Sequence, residues 1–359
     1  MLHIGILGPP GCGKTSIFKA LVPAVVDETG GAISREIHLG QVKVPDPRLD
    51  ELHAIFQRGK QVNAIVEYVD LAGFSRSDVS RGGYDAQFLG QIRSCDALLH
   101  VVRNFELPGL PKPDPLRDYQ ADFQEFLLSD QMIFEGKLQR LRKEAQKRKD
   151  PELGREINLM ERCLEALQNE QPLRELEFTP EEDKLLRSYQ SLSAKPELVL
   201  LNIAEDDIRG SDEMINELKP AIESPKVSLT VICASIEMEI AQLDRESARE
   251  FMDDLGIKES ALNRLIQASY KLLGLISFFT VGDDEVRAWT VKQGTKARQA
   301  AGEIHSDLEH GFIRADVVNF KEFQPRGSLS ACRKDGVRRL EGKEYTVQDG
   351  DIIEFRFAL

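Results

Sequence analysis

Residues 8–15 read GPPGCGKT, flanked by an apolar run before (LHIGIL, residues 2–7) and a segment after with Ile17, Ala20 and Leu21 on one side. In that setting, buried strand then helix, the pattern G-x-x-x-x-G-K-[ST] is a phosphate-binding loop. Gly8, Gly11 and Gly13, with Pro9, Pro10 and Cys12 between them, let backbone N–H groups converge on phosphate oxygens. The start of the following helix, through Ser16, adds partial positive charge. Lys14 can reach the β- and γ-phosphates, and the Thr15 hydroxyl is placed to ligate Mg2+. The chemistry is that of a nucleoside triphosphate. The competing reading is a glycine-rich turn with a chance lysine.

Two further motifs fall after strand-like runs. Residues 70–73, DLAG, follow the run 64–69; Asp70 could hold Mg2+ through water, and the Gly73 N–H could meet a γ-phosphate. Phe74 stands where GTPases commonly carry the glutamine that orients the attacking water, so hydrolysis is slow or another group handles the water. Residues 202–205, NIAE, occupy the place of the guanine-reading Asn-Lys-x-Asp. Ile203 replaces the lysine and Glu205 the aspartate, which weakens a case for guanine. An acidic loop, residues 205–207, that caps the next helix reads the same stretch equally well.

These motifs need a sheet to hold them. Strand-like runs at 2–7, 64–69, 97–102, 198–203 and 227–233 alternate with helical stretches, as in a mostly parallel α/β sheet. Prolines 108, 111, 113 and 115 interrupt this pattern. The period then changes: Phe123, Leu127, Phe134, Leu138, Leu141 and Ala145, then Ile157, Met160, Leu164 and Leu167, predict two helices paired as an antiparallel coiled coil. A third helix is expected near 181–192. From about 278 come short alternating runs (287–291, 312–318, 345–347, 352–357) and a helix at 297–305, a small α+β domain.

The 359 residues are 41% hydrophobic and 30% charged, which excludes wholesale disorder. Five scattered cysteines without a Cys-x-x-Cys spacing argue against a disulfide framework or zinc site. The start lacks the basic flank and cleavage site of a signal peptide, and the apolar stretch 272–281 is too short to span a bilayer, so a cytoplasmic protein without membrane contact is expected. The net charge of −13 speaks against a nucleic-acid coat, and no DNA specificity is evident. The acidity is concentrated, however. Residues 196–277 hold 8 Lys/Arg against 16 Asp/Glu, while residues 137–149 hold seven Lys/Arg against one Glu. That stretch is a solvated helix face or a contact for RNA phosphates.

The chain resembles the YchF/Obg-like ATPase family over essentially its whole length. The resemblance rests on VPDPRLD (44–50), DLAG (70–73), HVVR (100–103), NIAE (202–205), ASIEME (234–239), EVRAWT (285–290), QAAG (299–302), GFIRA (311–315) and residues 345–357. It implies an α/β P-loop NTPase fold (a Ras-like, Obg-like G domain, residues 1–118 and 196–277), an inserted helical coiled coil (119–195) and a C-terminal α+β ubiquitin-like TGS domain (278–359). It further implies ATP as substrate at least as readily as GTP, with Asn202, Ile203, Glu205, Ala234 and Ser235 at the base. Ser34 would join Thr15 and Asp70 as a Mg2+ ligand, and His100 would take part in hydrolysis beside Lys14. Read from the residues alone, a single histidine after an apolar strand is more often structural. A ribosome or rRNA partner and a switch role in translation are likewise implied. A nucleotide-regulated RNA or ribosome adaptor with negligible hydrolysis, and a small-molecule kinase, are the alternatives. The chain departs from the family in Gly11-Cys12 for Asn-Val, in Thr15-Ser16 for Ser-Thr, and in a glycine-poor 75–87 segment, all of which point to a divergent paralogue.

Overall fold

The computed structural model describes residues 2–22, 38–71, 84–148 and 150–358. Ser34, Gly73 and Phe74 lie outside the described residues. The chain divides into two compact units, residues 1–40 with 67–262 and residues 41–66 with 263–359.

The N-terminal elements are β1 (His3–Leu7), α1 (Lys14–Leu21), β2 (His38–Lys43), α2 (Pro47–Phe56), β3 (Lys60–Val62), β4 (Ile65–Asp70), α3 (Ala86–Ser94) and β5 (Ala97–Asn104). A helical insertion follows, α4 (Pro115–Lys147), α5 (Pro151–Gln168) and α6 (Pro180–Arg187). The first unit resumes with β6 (Glu197–Ile203), α7 (Ser211–Ile222), β7 (Val227–Ile232), α8 (Ala234–Ile240) and α9 (Arg245–Leu255), and α10 (Ala261–Leu272) follows, most of it counted in the second unit.

The first sheet runs β2-β4-β1-β5-β6-β7. Neighbours from β4 to β7 are parallel, with Ile6 beside Asp70, Leu7 beside His100, Arg103 beside Asn202, and Asn202 beside Ile232. Every residue of β6 is buried, and of β5 all but Asn104, as a parallel sheet covered on both faces requires. The registers bring the carboxyl ends of β1, β4, β5, β6 and β7 to one edge. The chain leaves β1 for one side of the sheet and later fills the other, so a crevice opens at that edge.

The insertion is built on a repeated local signal. Asp114-Pro115, Asp150-Pro151 and Thr179-Pro180 each place a capping oxygen before a proline at the first helical position. The Thr179 hydroxyl accepts from Glu182 N–H while the Glu182 carboxylate accepts from Thr179 N–H, closing a capping box. Leu127, Phe134, Leu138 and Leu141 of α4 are buried against Leu159, Met160, Cys163 and Leu167 of α5. The coiled-coil expectation thus reappears as a packed pair, although α4 begins at Pro115 and runs unbroken through the expected boundary at 118/119.

The second unit holds β8 (Leu275–Val281), β9 (Glu285–Lys292), α11 (Ala297–Ile304), α12 (Ser306–His310), β10 (Phe312–Asn319), α13 (Phe320–Phe323), α14 (Leu329–Lys334), β11 (Arg339–Glu341) and β12 (Asp351–Phe357). Its sheet runs β11-β10-β12-β8-β9-β3. The first and last long strands, β8 and β12, are parallel neighbours, and antiparallel partners flank them, a ubiquitin-like arrangement. Ala297 and Ala300 of α11 are small enough to sit on Phe278, Val291, Val317 and Ile353. Residues 345–347, expected as a strand, form only a Lys296–Thr346 bridge.

Residues 41–66, counted by sequence with the nucleotide domain, fold within this second unit. Strand β3 adds in parallel to β9, with Lys60 beside Glu285. Gly59 makes this possible: its φ is +49°, and a Cβ there would lie 1.6 Å from the Asp284 carbonyl oxygen. The VPDPRLD motif starts α2, where Asp46 accepts from Arg48 N–H, and the Arg48 guanidinium reaches both Asp46 and Asp349.

Candidate nucleotide site

The crevice at the carboxyl edge of the first sheet opens on a cavity of about 940 Å3. Gly13 and Ser16 line one end, and Asn202, Ile203, Glu205, Ala234 and Ser235 line the other. Residues separated by more than 200 positions therefore meet where strand order demands.

The loop between β1 and α1 has the conformation its glycines permit. Gly8, Gly11 and Gly13 have φ of +139°, +77° and +98°. A Cβ at Gly8 would lie 2.2 Å from the Val101 carbonyl oxygen, so the loop sits directly on β5. Cys12 is fully buried beneath it, and Pro10 faces solvent. Lys14 Nζ donates to the carbonyls of Gly8 (2.7 Å) and Pro9 (3.0 Å), holding its ammonium over the loop. Thr15 is exposed at the helix start.

Asn202 is the hinge of the site. Its Nδ2 donates to the Cys12 carbonyl (2.9 Å) and its Oδ1 accepts from Ala234 N–H (3.1 Å). One buried amide therefore ties the phosphate loop to the start of α8, and Gly13 must lack a side chain because a Cβ would lie 2.2 Å from Nδ2. Ile203 is buried beside it and Glu205 faces the cavity. Neither Glu205 nor its acidic neighbours caps a helix through its side chain.

Asp70 ends β4 beside Ile6. It is 1% exposed, and burial pushes its carboxyl above the ordinary aspartate range despite the nearby charges of Lys14, His38 and Lys19. Its Oδ1 has no hydrogen-bond partner among the described residues. A buried carboxylate oxygen without a donor, close to a lysine and a threonine-bearing loop, fits a hard divalent cation.

His100 is not brought to the cavity. It is fully buried, Nδ1 is 2.9 Å from Glu197 Oε1, and Nε2 is 3.0 Å from Asp122 Oδ2. Burial favours the neutral ring, but hydrogen bonds from both nitrogens to carboxylates outweigh it and set the pKa at about 9. Glu197 is in turn 2.9 Å from Arg174. The histidine sits at the root of the helical insertion with both ring nitrogens engaged by carboxylates, and it is not among the residues that line the cavity, where the expected hydrolytic role would need it.

Sequence reasoning missed Asn104, Phe105, Glu106 and Met238, which also line the cavity. Asn104 ends β5 and Phe105 and Glu106 follow it, a place from which parallel sheets habitually supply ligand contacts, and that position was the available signal.

A parallel sheet with a glycine-rich phosphate loop after its first strand, a buried aspartate at the next strand end and a base-side loop joined to it define a P-loop nucleoside-triphosphate-binding domain of the GTPase class. Comparisons agree. A family described as "50S ribosome-binding GTPase" matches residues 3–134, and the C-terminal family of YchF GTPases, described as a protein of unknown function, matches residues 275–358. The ribosome-binding ATPase YchF of Bacillus subtilis is 39% identical over 99% of both chains, and that of Haemophilus influenzae 39% over 98% of both. The solved structure of the Schizosaccharomyces pombe YchF GTPase superposes with a TM-score of 0.87 at 30% identity, covering 99% of this chain and 97% of that one. The chain belongs to the YchF family.

Proposed function

We propose that this protein is a Mg2+-dependent nucleoside triphosphatase that binds and slowly hydrolyses ATP, accepts GTP less well, and acts as a nucleotide-gated switch on the ribosome. The observation that carries this is the Asn202 amide, which joins the phosphate loop to the base side of one 940 Å3 cavity. The names of the curated relatives, ribosome-binding ATPases, point the same way.

On nucleotide entry, Lys14 exchanges the Gly8 and Pro9 carbonyls for phosphate oxygens, a stronger charge-assisted contact. Backbone N–H groups of the loop and the start of α1 stabilise charge spread over the transferring phosphoryl. Thr15 and Asp70 would hold Mg2+, which when bound neutralises charge on the β- and γ-oxygens. His100 transfers no proton in this scheme, consistent with slow turnover until a partner completes the site. Ser34 stays in the proposal as a Mg2+ contact on the resemblance alone, and Gly73 as a γ-phosphate contact on the DLAG motif.

The preference for adenine rests on Ile203 and Glu205, which stand where a guanine-reading site carries lysine and aspartate. Glu106, Asp206, Asp207 and Glu239 also line the cavity, but their acceptors suit the amino donor of adenine and the N1–H and 2-amino donors of guanine alike. Titration of the full chain with non-hydrolysable ATP and GTP analogues in Mg2+ tests this; a strong GTP preference overturns the base assignment. Wild-type ATP affinity in Lys14→Ala overturns the site.

One observation supports ribosome contact through the helical insertion. Lys137, Arg142 and Arg148 are paired with Glu156, Glu161 and Asp150. Arg140, Lys143 and Lys147, spaced to share one face of α4, are exposed with no ion pair recorded among the described residues. Co-sedimentation with ribosomes should fall steeply with salt, and Arg140→Glu/Lys143→Glu/Lys147→Glu should reduce it. An absence of association even at low salt overturns the ribosome reading.

A further inference from the structure

The loop that follows β5, residues 105–113, forms one wall of the nucleotide cavity through Phe105, Glu106 and Pro113. It also rests on the phosphate loop: a Cβ at Gly11 would lie 2.7 Å from Leu110 Cδ1 and 3.3 Å from Leu107 Cδ2. Yet the segment is poorly equipped to hold a shape. Prolines 108, 111 and 113 have no N–H to donate. Its own backbone closes one turn, Leu110 N–H to the Leu107 carbonyl at 3.1 Å. Leu107 and Leu110 are 39% and 40% exposed, so burial anchors the segment only in part.

The missing donors come from one side chain. Arg103, the next-to-last residue of β5, is 4% exposed. Its Nη1 donates to the Phe105 carbonyl and its Nη2 to the Pro111 carbonyl, both at 2.7 Å, and its guanidinium lies 6.0 Å from the centre of the Phe105 ring. The two carbonyls bracket the loop. A planar fork that donates in two directions from a rigid strand end is something arginine supplies and lysine does not. The register also sets Arg103 beside Asn202, so the residue that straps the loop and the one that ties the phosphate loop to α8 are cross-strand neighbours.

We propose that Arg103 is a positioning residue: it straps the 105–113 loop into a wall for the nucleoside, and so sets affinity for the nucleoside moiety separately from the phosphates. This rests on the nucleotide reading of the cavity. Without the strap, Phe105 and Glu106 must be ordered by each incoming ligand, and that entropy is charged to the base and sugar alone. The phosphate loop keeps Lys14, its glycines and Asn202.

Calorimetric titration of the full chain in Mg2+ with two probes, a non-hydrolysable ATP analogue and inorganic tripolyphosphate, tests the assignment. Arg103→Met should bind the ATP analogue about tenfold more weakly while tripolyphosphate stays within about twofold of wild type. Arg103→Lys should fall between, because one ammonium cannot serve both carbonyls. Phe105→Ala should reproduce the selective loss, and adding Arg103→Met to it should cost little more, since both changes remove the same wall. Parallel losses on both probes, or wild-type ATP affinity in Arg103→Met, overturn the proposal. Should Arg103→Met not fold, Arg103→Lys decides: an affinity equal to wild type rejects the strap. A wild-type chain that binds neither probe overturns the nucleotide reading and this inference with it, whereas binding of both probes unaffected by Arg103→Met overturns the inference alone.

Discussion

Arg93 Nη1 lies 2.7 Å from Asp130 Oδ1, joining α3, the helix after the D-x-x-G motif, to α4, the long helix of the insertion. Asp130 is fully buried and saturated: it also accepts from Leu192 N–H, Ser193 N–H and the Ser193 hydroxyl. Arg93 further donates to the Ser129 hydroxyl and the Gln190 carbonyl. One carboxylate thus gathers α3, α4 and the return to β6. Asp130→Ala leaves a buried guanidinium and two buried N–H groups without their acceptor and should cost about 3–5 kcal/mol. Urea unfolding measures it. Arg93→Ala should cost a similar amount, and the double variant less than the two together. A loss below about 1 kcal/mol in Asp130→Ala contradicts the clamp.

The His100 cluster makes stability depend on pH. The folded pKa of about 9 stands above the ordinary 6.5. Its stabilisation is therefore fully present below about pH 6.5 and is lost as pH rises through 9. The shift corresponds to roughly 3 kcal/mol at about 1.4 kcal/mol per unit. Glu197 behaves oppositely: burial raises its carboxyl, but Arg174 and His100 together hold it below the usual range, so its contribution disappears in acid. Urea midpoints measured from pH 6 to 10 should decline for wild type and stay nearly flat across that window for His100→Asn, which starts lower. A flat wild-type profile rules out the buried imidazolium.

How much of this could be read from the sequence depended on distance along the chain. The phosphate loop and the two insertion helices are local patterns, a motif between two periodic runs and a three-four spacing, and both appear where expected. Partnerships across the chain were out of reach. His100 looks like any histidine after an apolar strand until Asp122 and Glu197, 22 and 97 residues away, close on its two nitrogens. Residues 41–66 sit between two motifs of the nucleotide domain, and nothing local in KQV (60–62) announces a strand partner at 285–287. Arg48 is 301 residues from Asp349, yet the pair anchors that segment in the second unit. At 345–347 the alternation of Tyr, Thr and Val mimicked a strand; Tyr345 and Gln348 instead bond to Asp351 and shape a turn.

Asn202 should matter more to architecture than to base reading. Asn202→Ala removes the donor to the Cys12 carbonyl and the acceptor for Ala234 N–H in a residue 2% exposed. Two buried groups left unpaired cost about 2–4 kcal/mol together. Asn202→Asp should be worse, because a carboxylate would face the Cys12 carbonyl and bring negative charge under the phosphate loop. Thermal melts give the order wild type, Ala, Asp, and ATP titration should follow it. Equal loss of ATP and GTP affinity is expected; a loss confined to one base would return Asn202 to base recognition.

Asp70 supplies a test of the metal site that does not require turnover. Its carboxyl is raised by burial, and Oδ1 lacks a donor among the described residues. A raised folded pKa means the protonated form is favoured by folding, so without metal this group's contribution to stability grows as pH falls through the folded value and is lost above it. A divalent cation needs the carboxylate and must displace that proton. Mg2+-supported nucleotide affinity should therefore weaken on acidification at pH values above those where a free aspartate titrates. Asp70→Asn should remove both this pH dependence and most of the Mg2+ effect. It should also make the metal-free protein more stable at neutral pH, by about 0.5–2 kcal/mol, the usual gain when a strained functional group is neutralised. Calorimetric titration with and without Mg2+ from pH 5 to 8, alongside thermal melts, separates these effects. If Asp70→Asn is less stable than wild type without metal, the buried carboxylate has a structural partner and is not waiting for a cation.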